Sequence, residues 1–445
     1  MKPSVPKGTR DFLPEEVVKR KYMFGVIEEV FVKFGYLPIE TPSMENLQTL
    51  AGKYGEEGEK LLFKVLNNGD YLQKADREAL ESLDSNKLLP SISKRGMRYD
   101  LTVPFARFVV QHRNEIQLPF KRYQIQPVWR ADRPQKGRYQ EFYQCDVDVV
   151  GSTSLIYEAE LVQIYDEAFA RLNLPVRIRI NHRKMLTGIA EVCGIDNAQA
   201  MTVAIDKWDK IGPDGVIEDM MRRGITEDSA RAVIQVLGAG GLDELEEALG
   251  ASDTGISGLA DLRRVQSLLK NTSLTNTLKI DPKLARGLDY YTGCIFEVEG
   301  IGYDGGSIGG GGRYDDLTGI FGMPDVPGVG VSFGAARIYD ALEQLNLFPD
   351  AIGAAPRVLF LSLDDESLEH AFSLVTDVRQ AGIAADIYPE AVKLKKQMKY
   401  ADGLDVPFVV IIGESERNER VYSLKNMVTG DQQSVGLQEM IAALS

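Results

Sequence analysis

The sequence predicts an α+β chain in which sheet-forming segments flank a helical insertion and a smaller α/β unit closes the C-terminus. Three observations carry that prediction. KRYQIQPVWR and EFYQCDVDVVG read as two strands joined by a cationic turn, and residues from roughly 190 to 270 show helical patterns such as ITEDSARAVIQVL between Gly-rich turns. Beyond residue 356, short apolar runs alternate with helical ones.

In chain order, Pro14 suits the first turn of a helix, and Val17, Phe24, Ile27, Phe31 and Phe34 recur at helical spacing before Gly35. YLPIETPSMEN follows, with Pro38 and Pro42 bracketing a short extended piece. A proline donates no ladder hydrogen bond, so this piece belongs at a sheet edge or interface, where pairing with a second subunit is open. RYDLTVPFARFVVQH, Arg98 to His112, passes from polar groups into a helix after Pro104. The hairpin comes next. On its returning strand Gln144, Asp146 and Asp148 share one side while Cys145 and Val147 point oppositely, because side chains alternate along a strand.

A helical segment from Glu158 to Leu172 leads to the strand PVRIRIN, and after the insertion RGLDYYTGCIFEV and SIGGGGRYDDL resume the sheet, followed by a helix near VSFGAARIYDALEQL. NLFPDAIGAAP, where Pro, Gly and Ala gather, is the linker. The boundaries are a first domain over 1–345, interrupted at approximately 190–270, a linker at 346–356 and a final domain over 357–445.

Composition removes several classes of function. Lys and Arg total 51 against 65 Asp and Glu, a formal charge of −14, which excludes a generally basic nucleic-acid-coating protein but not a local cationic site. Cys145, Cys193 and Cys294 are too scattered for a disulfide framework, which points to a reducing interior. No signal-like segment and no apolar run of membrane-spanning length stands in the sequence, so a cytoplasmic protein without membrane partners is expected. There is no GxxxxGK[ST] loop, and the glycine run is no dinucleotide fingerprint, so any bound ATP needs another architecture.

Single residues leave two readings open. Arg130, Arg133, Lys136 and Arg138 form either a solvated basic turn or an anion site, to which the planar guanidinium fork is suited. Arg286 before a strand is a surface pair or an anion contact, and Gly287 permits close approach. Tyr290 and Tyr291 pack, or offer a hydroxyl to a heteroaromatic nitrogen. The four glycines of SIGGGGRYDDL are a tight turn or a floor under a flat base. Arg337 snorkels from its helix or enters an anion site. Taken together, Arg130, Arg286 and Arg337 suit a polyphosphate and a carboxylate, while Asp100, Gln144 and Asp148 suit cationic or hydrogen-bonding groups.

FKRYQIQPVWRADRPQKGRYQEFYQCDVDVVG, LARGLDYYTG, SIGGGGRYDDL and GVGVSFGAARI together resemble the histidyl-tRNA synthetase family of class II aminoacyl-tRNA synthetases, from RDFLP near the start to VPFVVIIG near the end. The resemblance implies a class II antiparallel sheet with flanking helices, a C-terminal anticodon-binding α/β domain and a homodimer. It implies a histidine-tRNA ligase that makes histidyl-adenylate and pyrophosphate from L-histidine and ATP, then charges the terminal adenosine of histidine tRNA. Arg130, Arg286 and Arg337 are then the catalytic, ATP-binding arginines, at the α-phosphate, the histidine carboxylate with the α-phosphate, and the γ-phosphate. Asp100, Leu101, Thr102, Arg130, Gln144, Asp148, Arg286, Tyr290 and Tyr291 are the substrate contacts. Among them Asp100, Thr102 and Gln144 surround the α-amino group, Asp148 and Tyr291 read the imidazole, and Tyr290 supports the pocket wall.

The same resemblance makes Arg133 and Arg138 tRNA-binding candidates and Mg2+ the cofactor. Tyr99 and Asp100 stand where many bacterial relatives carry a proline and a glutamate, as in the family's other major branch. His112, His182 and His370 fall outside the matched set, and no structural zinc is expected. YPEAVKLKKQMKYAD adds a basic cluster for RNA. The alternative reading is a catalytically inactive synthetase-like regulatory binding protein, a kind of relative that loses core residues and the C-terminal domain.

Overall fold

The computed structural model describes every residue of the chain except 1, 52–57, 59, 136, 286–289 and 351, so Lys136, Arg286 and Gly287 lie outside the described residues. Two compact units emerge, Met1–Pro349 and Asp350–Ser445.

The first unit is built on an eight-stranded sheet in the order β1-β5-β6-β11-β10-β9-β7-β8. Its strands are β1 (Leu37–Pro38), β5 (Phe120–Trp129), β6 (Glu141–Val150), β7 (Val176–His182), β8 (Thr277–Ile280), β9 (Cys294–Gly300), β10 (Ser307–Tyr314) and β11 (Gly328–Gly334). The six central strands pair antiparallel, and only the two edges, β1 on β5 and β8 on β7, are parallel. The two-residue β1 carries Pro38 at the margin, as a residue without an N–H requires. Alternation gives the sheet one apolar and one polar face. Cys145, Val147, Val149, Val331 and Phe333 enter the core against helices Pro14–Lys33 and Ile156–Arg171, where Phe31 and Tyr165 meet the Phe333 ring at 5.6 and 4.7 Å.

Helix Pro14–Lys33 begins with Pro14 and closes its first turn by a bond from the Leu13 amide to the Glu16 carboxylate, 3.0 Å. Its buried stripe is Met23, Val26, Ile27, Val30 and Phe31, with Val17, Phe24 and Phe34 only half-buried. The expected stripe was thus right in period but rotated, because packing on the sheet favours Met23 and Val30. The helix expected after Pro104 starts at Thr102 and runs to Gln111, with proline in its first turn, where a missing N–H costs nothing.

Adjacent parallel strands need a long crossover. Residues between β7 and β8 supply it as helices, from Arg183–Val192 to Asp253–Leu269, whose buried side chains, Ile189, Met201, Val233 and Leu262 among them, merge with the sheet core. The first and last of these helices touch backbone to backbone: a Cβ on Gly188 would lie 2.4 Å from the Gly255 Cα.

A small sheet of β2 (Met44–Asn46), β4 (Arg95–Met97) and β3 (Lys64–Val65) leads into the site. Directly after β4, the buried Arg98 donates to the Thr41 carbonyl at 2.6 Å, Gln126 Oε1 at 2.9 Å and the Pro127 carbonyl at 2.8 Å, tying the segment after β1 to β5.

The second unit carries a five-stranded sheet, β13-β12-β14-β15-β16, from β12 (Val358–Ser362), β13 (Ala385–Ile387), β14 (Phe408–Ile412), β15 (Tyr422–Asn426) and β16 (Gln432–Val435). Pairing is parallel through β14 and antiparallel beyond it, with helix Asp365–Gln380 packed on the β12 side.

Gly188→Ala should destabilise the first unit by about 2 kcal/mol, the usual scale for forcing a methyl into packed backbone. Thermal unfolding measures it, and an unchanged melting temperature would show that the two helices part at no cost.

Candidate active site

On the polar face lies a cavity of about 150 Å³ between β6, β11, β10 and the start of helix Thr102–Gln111. Gln144, Asp146 and Asp148 all line it, as strand alternation requires, together with Asp100, Thr102, Arg130, Tyr290 and Tyr291. Leu101 sits between Asp100 and Thr102 with its side chain fully buried and off the cavity.

Each wall has a local cause. Asp100 Oδ1 accepts from the Val103 amide at 3.1 Å, fixing the carboxyl at the helix start. Arg130 is held from behind: its Nε donates to the Tyr99 carbonyl at 3.0 Å, and its guanidinium stacks 4.3 Å from the Tyr99 ring and 5.2 Å from Phe142. Gln144 joins the two sides, its Nε2 donating to Ser332 Oγ at 3.0 Å and to Asp146 Oδ1 at 3.3 Å. Tyr290 packs edge-on against Tyr291 and Tyr314, at 4.9 and 6.2 Å, so it belongs to the wall. Asn181 holds the carbonyls of Pro282 and Leu284, at 3.3 and 2.7 Å, which fixes the chain just ahead of residues 286–289.

The glycine run is neither turn nor loop but the middle of β10. A Cβ on Gly309 would press on the Tyr165 ring at 2.9 Å, and one on Gly311 would meet the Gly330 carbonyl at 2.2 Å. On β11 a Cβ at Gly330 would sit 1.8 Å from Asp148 Oδ1, so glycine leaves the room this carboxylate occupies.

Asp148 is almost wholly buried, 3% exposed, with Arg122 Nη2 at 2.7 Å from Oδ2 and the Tyr314 hydroxyl donating to Oδ1 at 2.8 Å. Burial pushes its carboxyl above the ordinary aspartate value, while Arg122 and Tyr314 pull it back. Asp146 is hydrogen-bonded instead by the neutral Gln144 and Ser332. Burial, with Asp148 and Asp100 adding repulsion against the pull of Arg122 and Ser332, pushes it up to about 7. Burial and the Asp148 and Asp146 charges raise the Tyr291 hydroxyl, leaving it a proton donor at neutral pH.

Arg337 lies on helix Ala335–Gln344, immediately after β11, and donates to the Ser307 carbonyl at 2.7 Å. It approaches the hairpin loop at Gly137, where a Cβ would stand 3.7 Å from its Cγ. That loop, residues 130–140, exposes Arg133 and Arg138, with Arg138 Nε at 3.2 Å from Asp132. It is strapped to the N-terminal segment, where Gln140 donates from its amide to the Gly8 carbonyl at 2.8 Å and the Arg10 guanidinium lies 3.3 Å from the Tyr139 ring. Of the sequence-derived candidates, Asp100, Thr102, Arg130, Gln144, Asp148, Tyr290 and Tyr291 come together on one cavity, and Arg286 falls outside the described residues. Asp146, Ser332, Tyr314 and Arg122 were not singled out as contacts. For Asp146 the alternation was the available signal, and for the others cross-strand register was needed.

Residues 8–338 match the family model described as histidyl-tRNA synthetase, and residues 357–445 match the one described as anticodon binding domain. The chain is 52% identical to a histidine–tRNA ligase of Christiangramia forsetii over 100% of this chain and 99% of the relative. Against a histidine–tRNA ligase of Bacteroides fragilis it is 51% identical, with the same coverage of 100% and 99%. Among solved structures it superimposes on the histidyl-tRNA synthetase of Nostoc sp. PCC 7120 with a TM-score of 0.84 and 30% identity, covering 100% of this chain and 99% of that one.

An aspartate held near pH 7 in the native state but at the ordinary 3.8 when unfolded binds its proton more tightly in the fold. Native stability therefore falls as pH rises between those values and levels off above them. Asp146→Asn should remove that part of the slope, and melting curves of both proteins from pH 4 to 8 check it. Parallel curves would mean that Asp146 is ionised throughout.

Proposed function

The chain belongs to the histidyl-tRNA synthetase family, and from that premise we propose which of its residues perform the reaction. The activity itself is ATP-dependent histidine tRNA charging: L-histidine and ATP give histidyl-adenylate and pyrophosphate, and histidine then passes to its tRNA. A catalytically inactive regulatory protein does not fit a chain that matches ligases over its full length and carries an anticodon-binding domain.

The observation that carries the assignment is the cavity itself, where fixed hydrogen-bonding groups converge from a rigid sheet. In the first step a histidine carboxylate oxygen forms a bond to the α-phosphorus of ATP, and the bond to pyrophosphate breaks. Negative charge builds on the phosphoryl oxygens, so fixed cations matter most there. Arg130 is assigned to the α-phosphate, a reading supported by its guanidinium being anchored through Tyr99 on the cavity wall. By family correspondence Arg337, beside the hairpin loop, is assigned to the γ-phosphate, and Arg286 to the histidine carboxylate and α-phosphate. Asp100, Thr102 and Gln144 take the α-amino group, and Asp148 with Tyr291 takes the imidazole, whose two nitrogens need distinct partners. A pocket of this kind rejects an isosteric side chain because its buried polar groups would go unpaired. In the second step a hydroxyl of the terminal adenosine attacks the activated carbonyl carbon and AMP leaves, with Arg133 and Arg138 on the exposed loop facing the acceptor end.

Magnesium would neutralise phosphate charge in this chemistry. Among the described residues there is no cluster of three acidic, histidine or cysteine side chains to cage it, so it would ride chiefly on ATP, and no step here depends on it. The edge position of β1 supports a homodimer paired near Pro42. Among the described residues no helix is long and apolar enough to cross a membrane, and we place the enzyme in the cytoplasm with the tRNA pool.

Histidine-dependent exchange between ATP and pyrophosphate tests the first step directly, and folded protein that shows none would end the proposal. Arg130→Ala and Arg286→Ala should each slow exchange about a hundred-fold or more with the fold intact, the usual cost of removing a fixed donor at a developing charge. Near-wild-type exchange in either variant would overturn that arginine's role.

A further inference from the structure

Asp148 is not held by its own strand. Arg122 stands directly opposite it on β5 and Gly330 directly opposite on β11. Arg122 is completely buried, its guanidinium 4.2 Å from the centre of the Phe105 ring, and it pairs with Asp148 Oδ2 at 2.7 Å. Tyr314, on β10, reaches Oδ1 from the other side at 2.8 Å. Its ring can do so only because Gly328 has no side chain: a Cβ there would lie 2.3 Å from Tyr314 Cε2. The alternating glycines of GVGV thus open two spaces on one face, one for the tyrosine ring and one for the carboxylate.

We infer that Arg122 and Tyr314 are the positioning residues that make Asp148 an acceptor: they fix its carboxylate in the ionised form and in one orientation, so that it takes an N–H from the substrate's imidazole. The inference rests on the assignment of Asp148 to the imidazole. The chemistry is one-sided. An arginine cannot accept a hydrogen bond, and its charge favours carboxylate over carboxylic acid. Phe105 covers the outer face of the guanidinium, so the charge is directed at the strand pair and is little screened by solvent. An ion pair at one oxygen and a hydrogen bond at the other also stop the short side chain from rotating, while the oxygens keep lone pairs for the ligand.

Without Arg122, the Tyr314 hydroxyl would be left to oppose burial, and Asp148 would hold a proton more tightly. A protonated carboxyl would present a donor where the imidazole N–H needs an acceptor. Other charged or titratable groups face the same space: Asp146 on β6, Asp100 ahead of helix Thr102–Gln111, Tyr290 and Tyr291 before β9, and Arg130 after β5. From β11 come only Gly330, Val331 and Ser332. Arg130 is the cation among these groups, and it is held on the Tyr99 carbonyl and ring, whereas the charge paired with Asp148 is that of Arg122.

The test is histidine KM in pyrophosphate exchange from pH 6.5 to 9, each variant expressed as a ratio to wild type so that titration of the substrate cancels. Arg122→Met should raise KM for histidine about ten-fold or more near pH 7, the scale for losing a hydrogen bond to a charged group, with KM for ATP unchanged. The ratio should shrink towards pH 9 as Asp148 regains its charge, and Arg122→Lys should restore most of the loss. Tyr314→Phe should move KM the same way by a smaller factor. Repeating the series with Asp146→Asn in both members of the ratio keeps that neighbour out of the profile. A folded Arg122→Met enzyme with wild-type KM, or a ratio that does not change with pH, would overturn the inference. If that variant does not fold, unchanged histidine KM in Tyr314→Phe overturns it instead. Asp148→Asn separates the two levels: wild-type KM there would refute the imidazole assignment itself, whereas a raised KM beside an unaffected Arg122→Met enzyme would refute only the role of Arg122.

Discussion

Two aspartates buried two residues apart on one face of one strand are the constraint around which the first unit is arranged. Asp146 and Asp148 are 2% and 3% exposed. A carboxylate taken out of water is tolerated only when paired and hydrogen-bonded, and two side by side raise each other. Arg122 is the buried cation that lowers both, and it is available because β5 and β6 pair in the register that sets it opposite Asp148. That register is maintained in turn by the apolar face, since a one-residue slip would send Cys145 and Val147 to the polar side. Core packing and site chemistry are two faces of one alignment.

The remainder of the sheet supports this centre without sharing its chemistry. At the other end Arg179 of β7 gathers Asp281, Glu297 and Glu299, two of them well buried, and also reaches the exposed Asp209. The exposed members of such a cluster add little, but the bond to Asp281 at 2.9 Å ties β7 to the turn after β8. The helical crossover between those strands then brings the chain back to Pro282 and Leu284, which Asn181 holds. An insertion that looks separate in sequence is therefore what makes a parallel edge possible.

Much of this was legible from local patterns. The two-residue period placed Gln144, Asp146 and Asp148 together, Pro14 marked a helix start, and the hairpin followed from its strands and polar turn. These succeed because each depends on a few consecutive residues. What could not be read needed partners distant in sequence. Arg122 looks like one more basic residue until β5 is laid beside β6, and four glycines in a row suggest a turn until Tyr165 and β11 are seen to need the space. The stripe of helix Pro14–Lys33 had the correct period but a shifted centre, since periodicity does not say which way a helix faces. Leu101 matched by motif position, yet its side chain belongs to the core.

The division of labour within the site follows from where its residues stand. Groups assigned to histidine selection lie on strands, at a helix start or, for Tyr291, just ahead of β9, where register and packing restrict them. Arg133 and Arg138, assigned to tRNA, are exposed on a loop whose fixed points are the Gly8 carbonyl and the Tyr139 ring under Arg10. Discriminating one small amino acid demands polar groups that cannot relax to accommodate a wrong ligand, and buried strands provide that rigidity. Docking a large polyanion demands reach and charge, which a tethered loop provides better. Arg130 lies at the junction, the first residue after β5, with its backbone bonded to Gln140 across the loop and its side chain pinned to Tyr99. In the role proposed for it, Arg130 would hold the phosphate in a geometry set by the sheet, next to the loop that carries Arg133 and Arg138, so that alignment of the reacting centre is tied to the strand pair.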